Sequence, residues 1–432
     1  MPVTSTASRH ITGSEPSRRT RRGLDILNFT LADVRDGLGP YLAIYLIAVR
    51  GPGEGWNEAT VGFVMTLAGI AGLISQTPAG AFIDRSRHKR AVIGVAALLV
   101  TFCSLLLPWI SSFAMVALTQ SLAQVAAAVF APALAAITLG IVGPAAFTRH
   151  IGRNEGFNHA GNAFSAALAG ALGYLFGPMV VFWLMAALAF ASIIALWQVP
   201  ADEIDDDLAR GLDDGPSAHP PVSSWQALLA NRHLMLLALL AAIFHLANAA
   251  MLPSIGQQLT HIIGKDSATS LIALCIVAAQ CVMVPVAILV GRHADRFGRK
   301  PIFLFGFAIL ALRGVLYTFS DNPFYLVAVQ CLDGIGAGIF GALLPVVIAD
   351  LTRGTGRFNV SQGAVATVQG IGASLSATLA GVIIVHFSYA YAFLTLAAIA
   401  GIGFVLYLLL MPETMRQAGA VKPATVQIAG QE

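Results

Sequence analysis

Three charged residues stand close together in the first apolar stretch of the chain, which reads Asp33-Val-Arg35-Asp36. On an α-helix Asp33 and Asp36 share one face, while Arg35 points about 100° away from Asp36. A charged side chain at a bilayer centre costs about 2.5–3.5 kcal/mol unless it is paired or hydrated. One carboxylate could therefore pair with Arg35 or a neighbouring helix, leaving the other to exchange a proton. The alternative is an inert ion-pair cluster that holds the helix in place.

Six further polar residues inside other apolar stretches extend this set of candidates. They are Gln120, His245, Asn248, Arg313, Gln330 and Asp333. A histidine can relay protons, although a single histidine in a helix often does no more than hydrogen-bond a neighbour. Arg313 is the most obvious partner for Asp333, and that pair could be structural or functional. We expect the amides, the histidine and Asp333 to line a polar cavity, and Arg313 to form an ion pair within the membrane.

The chain as a whole is too apolar for a soluble protein. It is 57% hydrophobic and 11% charged, with a mean hydropathy of +0.76, whereas soluble domains carry roughly 25% charged residues. Apolar runs of about 17–25 residues are long enough to span a bilayer. Twelve such runs lie near 24–48, 59–81, 91–110, 113–142, 157–177, 179–198, 233–257, 268–290, 301–319, 323–350, 360–385 and 390–411. The sequence therefore predicts an all-α membrane protein.

Positive charge is concentrated on one side of this predicted topology. Most of the 25 Lys and Arg residues fall in the N-terminal tail, the C-terminal tail and alternate loops. Positive residues accumulate on the cytoplasmic side of membranes, so both termini are expected in the cytoplasm, in a bacterial inner membrane. The net charge of +3 follows from this topology and does not indicate a nucleic-acid partner. The four cysteines all lie in apolar runs, without metal-site spacing, and no cofactor is expected.

The two halves of the chain repeat each other at a nearly constant offset of about 210 residues. A charged loop beginning at Gly80 matches one beginning at Gly291, and two further segments match in the same order. The Phe29–Asp33 segment matches Phe244–Asn248, and Gln120–Phe130 matches Gln330–Phe340. A repeat with the same starting side in both halves predicts two parallel six-helix bundles.

An acidic, Pro-rich segment separates the two bundles and predicts a flexible cytoplasmic linker. The predicted parts are a cytoplasmic tail (1–23), an N-terminal six-helix bundle (24–198), the linker (199–232), a C-terminal six-helix bundle (233–411) and a cytoplasmic C-terminal tail (412–432). We interpret the acidic run of the linker as a solvated surface.

The paired loops carry a resemblance to the major facilitator superfamily, whose signature is Gly-x-x-x-Asp-Arg-x-Gly-Arg-Arg/Lys. The second loop resembles it throughout, with Gly291, Asp295, Arg296, Gly298, Arg299 and Lys300, and the first keeps Gly80, Asp84, Arg85 and Lys89. The first loop departs from the signature at Arg87 and His88. The resemblance implies that Asp84 and Asp295 stabilise the outward-facing state by tying helices together on the cytoplasmic side. It also implies that the first and seventh spans line a central cavity.

These features predict a monomeric secondary transporter rather than an enzyme. The chain lacks a Walker A phosphate loop, so an ATP-driven pump is not expected. The fifth span is glycine-rich and resembles that of proton-coupled antiporters of the same family, which favours proton-coupled export of a small organic compound. The alternatives are proton-coupled uptake and, in another class, a membrane sensor or lipid-handling protein on the same fold.

Overall fold

The computed structural model describes residues 16–36, 42, 45–46, 56, 58–177, 179–212, 229, 231–263 and 265–415. The N-terminal half contains α1 (Arg18–Asp36), α2 (Glu58–Arg85), α3 (Lys89–Leu106), α4 (Phe113–Ala127), α5 (Phe130–Phe176) and α6 (Val180–Trp197). A short α7 (Asp206–Ala209) lies in the connection between the halves. The C-terminal half contains α8 (Arg232–Asn248), α9 (Met251–Ile263), α10 (Lys265–Phe297), α11 (Arg299–Leu316), α12 (Pro323–Thr352), α13 (Phe358–His386) and α14 (Tyr389–Leu410). In the described residues the fold is therefore all-α.

Two of the predicted spans are built differently from a single straight helix. In α5 the backbone leaves helical geometry at Gly143, where φ is 67° and ψ is 173°. Glycine adopts a positive φ without the steric cost other residues meet, and Pro144 suits the first turn of the next helical segment. The predicted seventh span is divided into α8 and α9, with α8 ending at Asn248.

Apolar length alone accounts for most of the bundle. Within the described residues nine stretches are long and apolar enough to cross a membrane, and one of them, Phe113–Phe176, contains 64 residues divided at Gly143. The helices α1 (19 residues) and α11 (18 residues) are as long as the shortest of these stretches but contain more charged residues. In α11 these residues are Arg299, Lys300 and Arg313. The twelve predicted spans are consistent with these helices.

Each half is held together by its own packing contacts. In the N-terminal half, Phe29 packs on Phe164 with ring centroids 5.4 Å apart, and the hydroxyls of Thr30 and Ser192 lie 2.8 Å apart. In the C-terminal half, the Phe244 ring stacks on Phe340 at 4.5 Å. Large apolar side chains are also exposed on the outer surface, among them Phe102, Trp183, Phe305 and Leu409. A surface of this kind is what a bilayer-spanning bundle presents to lipid.

The first part of the predicted linker is a folded element, which we call the strap (residues 201–212). The Asp205 side chain caps α7 by accepting from the N–H groups of Asp207 and Leu208, as a helix N-cap does. Asp206 forms an ion pair with buried Lys89 at 2.6 Å. These two acidic residues make local contacts, while Asp202, Asp205 and Asp207 are exposed to solvent.

The strap touches both halves of the protein. On the N-terminal side, the Asp205 N–H donates to the Gly140 carbonyl at 3.0 Å. On the C-terminal side, the Arg210 carbonyl accepts from the Phe358 N–H at 3.1 Å and the Gly211 carbonyl accepts from the Gly354 N–H. The strap thus joins the two bundles at the end that carries the two charged loops, residues 84–90 and 295–300, which we call the loop end.

Candidate functional site

A cavity of about 520 Å³ lies between the two halves. It is lined by residues of α1, α2, α4 and α5 from the N-terminal half and of α12 and α13 from the C-terminal half. The polar lining residues are Asn28, Arg35, Gln76, Gln124, Asn154, Glu155, Gln362, Gln369 and Ser374. Because helices of both halves form the wall, relative motion of the halves would change the shape of this cavity.

Arg35 and Glu155 are the charged residues among the described residues that line the cavity. Within the described part of the chain, the Arg35 guanidinium has no hydrogen-bond or ion-pair partner. The Glu155 carboxylate accepts one long hydrogen bond, from Asn158 Nδ2 at 3.5 Å. The cavity therefore presents one positive and one negative group, and neither is neutralised by the other.

Glu155 also lies against the opposite half. A side-chain carbon at Gly341 of α12 would lie 3.6 Å from Glu155 Oε2 and 4.0 Å from His159 Nε2. His159 in turn bonds across the boundary, with its Nδ1 2.8 Å from Gln280 Oε1 of α10. These distances are ordinary van der Waals contacts, so Glu155 and His159 of α5 lie directly beside α12 at the boundary between the halves.

Sequence reasoning missed Glu155 because it assigned residues 143–156 to a loop. In the structure, α5 continues through these residues from Pro144, so Glu155 lies on a helix that faces the cavity. The signal that could have found it is the Gly143-Pro144 pair, since glycine followed by proline is typical of one helix ending and the next beginning.

The first predicted cluster is only partly at the cavity. Arg35 lines it, whereas Asp33 is half-buried and is not among the described lining residues. Asp33 makes a polar interaction of its own. Asp36 ends α1, and its side chain lies outside the described residues. The structure thus brings the cation of this cluster into the cavity.

Four of the other candidates form a network inside the C-terminal half instead of lining the cavity. The buried Arg313 guanidinium pairs with Asp333 and donates to Asn248 Oδ1 at 2.7 Å. Gln330 is fully buried, donates to Asp333 Oδ2 at 3.1 Å and accepts from the Tyr317 hydroxyl. This network ties α8, α11 and α12 together, and it contains the predicted Arg313–Asp333 pair.

His245 and Gln120 also lie behind the cavity wall. His245 Nε2 is 3.0 Å from the Nε2 atom of Gln369, a lining residue, and the ring packs edge-on against Phe340 at 4.8 Å. Gln120 is buried, and within the described residues its Nε2 atom has no hydrogen-bond partner. His245 therefore reaches the cavity through a second residue.

At the loop end, Asp84 connects the two halves. This carboxylate is 3% exposed and accepts from the Val360 N–H at 2.8 Å, the Asn359 N–H at 3.1 Å and Asn359 Nδ2 at 2.8 Å. The two N–H groups belong to the first turn of α13, where the helix dipole favours a negative charge. Asp84 therefore ties the end of α2 to the start of α13 across the boundary.

The second loop makes a different set of contacts. Asp295 is about half exposed (47%) and pairs with Arg299 at 2.7 Å within the same half. Arg299 crosses the boundary itself, by donating to Thr148 Oγ1 of α5 at 3.1 Å. Gly298 has φ of 89°, a conformation that favours glycine, and it caps α11. The loop that departs from the signature is thus the one whose aspartate is buried between the halves.

The two signature arginines next to these aspartates lie on the surface. Arg85 is exposed and has a polar partner. Arg296 is exposed, with its guanidinium 5.5 Å from the centre of the Phe297 ring.

Glycines bring the backbones of the two halves into direct contact near the loop end. A side chain at Gly80 would overlap the Asn359 carbonyl, and one at Gly363 would overlap the Gln76 carbonyl. Between α5 and α10, a side-chain carbon at Gly152 would lie 2.5 Å from Gly291 Cα. Because Gln76 and Gly363 also line the cavity, these contacts close the cavity toward the loop end.

Comparison with known proteins identifies the family. A family model for the Major Facilitator Superfamily matches residues 24–292 and 241–430. Rv2456c, an MFS-type transporter of Mycobacterium tuberculosis, is 54% identical over 92% of this chain and 94% of its own length. The multidrug resistance protein MdtL of Shewanella oneidensis is 30% identical over 39% of this chain and 40% of its own.

The fold agrees with a solved structure of that family. The proton:xylose symporter XylE superimposes with a TM-score of 0.69 at 12% identity, covering 92% of this chain and 95% of that chain. Likeness at so low an identity concerns the fold alone. Two repeated helical halves, a polar cavity between them and a family match along nearly the whole sequence lead to one conclusion: this chain is a membrane transporter of the Major Facilitator Superfamily, not an enzyme.

Proposed function

We propose that the protein exports a small organic compound in exchange for protons, by alternating access to the cavity between its halves. The observation that carries this proposal is the polar cavity itself, which contains the Glu155 carboxylate and is closed at the loop end by Asp84 and the glycine contacts. We assign the loop end to the cytoplasm on the basis of its positive charge. The described conformation is then the outward-facing one.

In this cycle the loop end opens to load substrate from the cytoplasm and closes to release it outside. Opening must break the bonds of Asp84 to α13, the Arg299–Thr148 bond and the strap's bonds to Gly354 and Phe358. We propose that the transporter works as a monomer, because a complete cavity is formed within one chain. The similarity to a multidrug resistance protein supports the direction of export.

We propose Glu155 as a proton-carrying residue alongside Asp33 and Asp36. A carboxylate inside a membrane protein is costly when charged and unpaired, so protonation and substrate binding can alternate there. Glu155 lines the cavity, whereas Asp33 lies on the same helix as the lining residue Arg35. Substitution of Glu155 and substitution of Asp33 test these two carboxylates separately.

Proton movement in proteoliposomes tests this function. A pH-sensitive dye trapped inside the proteoliposomes reports proton flux. We supply one cation (tetraphenylphosphonium), one anion (benzoate), one neutral compound (glucose) and one peptide (trialanine), and we expect at least one of them to drive proton flux. Glu155→Gln is expected to reduce the coupled flux at least tenfold, because the amide cannot exchange the proton, and Asp33→Asn tests the second carboxylate. The exposed Asp202→Asn is the matched control and should transport like wild type. Substrate flux without proton movement would refute the coupling.

Gly152→Val is expected to abolish closure at the loop end. The new side chain would meet the Ala287 carbonyl oxygen and Gly291 Cα of the other half at 2.5 Å, so the backbones must separate. We expect transport to fall at least tenfold with expression unchanged, measured as initial rates in proteoliposomes. The control is Gly62→Val, since no heavy atom lies within 4 Å of a side-chain carbon there. Equal rates for both variants would show that the close contact is not needed.

A further inference from the structure

We infer that the substrate is an elongated zwitterion, whose carboxylate binds Arg35 and whose ammonium group binds Glu155. This inference rests on the proposed function and specifies its substrate class. Among the described lining residues these two carry charge, and they have opposite signs. They are not paired with each other, and the Arg35 guanidinium has no partner in the described part of the chain.

A zwitterion is the ligand class that satisfies both groups at once. Charges that are shielded from water are stable when they are paired and hydrogen-bonded. A cationic ligand would pair with Glu155 and leave Arg35 without a counter-charge, and an anionic ligand would do the reverse. A ligand that carries both charges pairs with both charged groups of the described lining when it is bound.

The positions of the two residues require the ligand's charges to be well separated. The contacts between α1 and α5 run in the same order along both helices, since Asp25 pairs with Arg153 at 2.6 Å and Phe29 packs against Gly161. Counting residues from these contacts places Arg35 about 12–18 Å beyond Glu155 along the helix axis, at about 1.5 Å per residue. Because the Arg35 and Glu155 side chains are long, their charged groups can lie closer together than their backbone positions. An α-amino acid, whose charges share one carbon, is too short, whereas a short peptide fits.

The rest of the lining suits a peptide backbone. Gln76 and Gln124 have no side-chain hydrogen bond within the described residues, and Gln362 Oε1 is buried without a partner there. Free carboxamides offer both donors and acceptors, which match peptide N–H and C=O groups. Phe340 is the one aromatic residue in the described lining, so the wall lacks the several aromatic faces that cage organic cations.

The same assignment explains how the substrate could exchange with protons. A carboxylate that holds an ammonium group cannot bind a proton at the same time. Loading at Glu155 therefore expels the proton, and protonation of Glu155 expels the substrate. Competition at one group gives exchange rather than co-transport.

Four matched ligands test the inference in proteoliposomes that contain the full chain. They are trialanine, its N-acetyl derivative, its C-terminal amide and the compound with both ends blocked. We expect trialanine to drive flux, with at least a tenfold loss for each blocked form, since a hydrogen bond to a charged group contributes about 1.5–3 kcal/mol, or roughly 10–100-fold. Arg35→Gln should weaken trialanine without affecting the C-terminal amide. Glu155→Gln should lower coupled flux for every ligand, because it removes the proposed proton carrier, but in thermal-stabilisation measurements it should weaken binding of trialanine without affecting binding of the N-acetyl form.

The controls separate this inference from the proposed function. Arg292→Gln removes an exposed arginine and should leave the ligand preference unchanged. Ligand-induced thermal stabilisation in detergent measures binding independently of flux. Binding of trialanine with the expected preference but without proton flux would support the zwitterion site and refute the export cycle. Proton-coupled flux that favours a singly charged or neutral ligand, or failure of trialanine to bind at all, would overturn the zwitterion site.

Discussion

Asp84→Asn is expected to shift the protein away from the conformation closed at the loop end by roughly 30-fold. The carboxylate accepts from two N–H groups in the first turn of α13 and from the Asn359 side chain. An amide at this position places an NH₂ group against one of these donors and loses the charge that the helix dipole stabilises. Hydrogen bonds to a charged group contribute about 1.5–3 kcal/mol each, so a loss of about 2 kcal/mol is reasonable.

Spin-label distances would measure this shift. Labels at the exposed positions Arg87 and Arg296 report the separation of the two halves at the loop end, after the exposed native Cys281 is replaced by Ser. Wild type should show mainly the short distance, and Asp84→Asn should populate a longer one. The same substitution should reduce the transport rate at least tenfold.

Asp295→Asn is the matched control at the equivalent position of the repeat. Asp295 is half exposed and pairs with Arg299 in its own half, so we expect impaired transport but a smaller shift than for Asp84→Asn. Exposed ion pairs contribute about 0.2–1 kcal/mol. Equal distance distributions for wild type and Asp84→Asn would refute the role of Asp84 in closure.

Arg313→Met is expected to destabilise the C-terminal half strongly. Arg313 is 1% exposed and pairs with Asp333 while donating to Asn248. Removing one partner of a buried ion pair leaves the other charge uncompensated, which costs about 3–5 kcal/mol. Thermal unfolding in detergent should show a clearly lowered Tm, and the yield of folded protein should fall.

Rescue by a second substitution distinguishes the charge effect from a packing effect. In Arg313→Met/Asp333→Leu the uncompensated carboxylate is gone, and well-packed apolar residues often replace a buried ion pair without loss of stability. We expect the double variant to recover most of the lost Tm. If the double variant were no more stable than Arg313→Met, the pair would not be what the single substitution disrupts.

The fold could be predicted from the sequence because its cause is local. A stretch of apolar residues long enough for the bilayer must form a helix there, since its backbone groups have no water to bond. The repeat can also be recognised in the sequence, because matching loop residues, such as Gly80 with Gly291 and Asp84 with Asp295, are separated by a nearly constant number of residues. The Arg313–Asp333 pair was predictable for a related reason, since a buried arginine needs a counter-charge.

The site was harder to predict because it depends on where helices begin and which way they face. Glu155 was assigned to a loop, and the extension of α5 from Pro144 places it at the cavity. Asn248, Gln330 and Asp333 share the residue types of a polar cavity, but they bond Arg313 or one another inside one half. Residue type does not distinguish these two environments.

By itself, the sequence determined the helical membrane fold, the duplication and the family, because hydrophobic length and repeated motifs are properties of the chain. Tertiary structure decided that Arg35 and Glu155 share a cavity and that the first loop's aspartate, rather than the second's, is buried between the halves. The physical reason is that burial and pairing depend on contacts between helices far apart in the chain, such as Asp84 with Val360. No local pattern encodes those contacts.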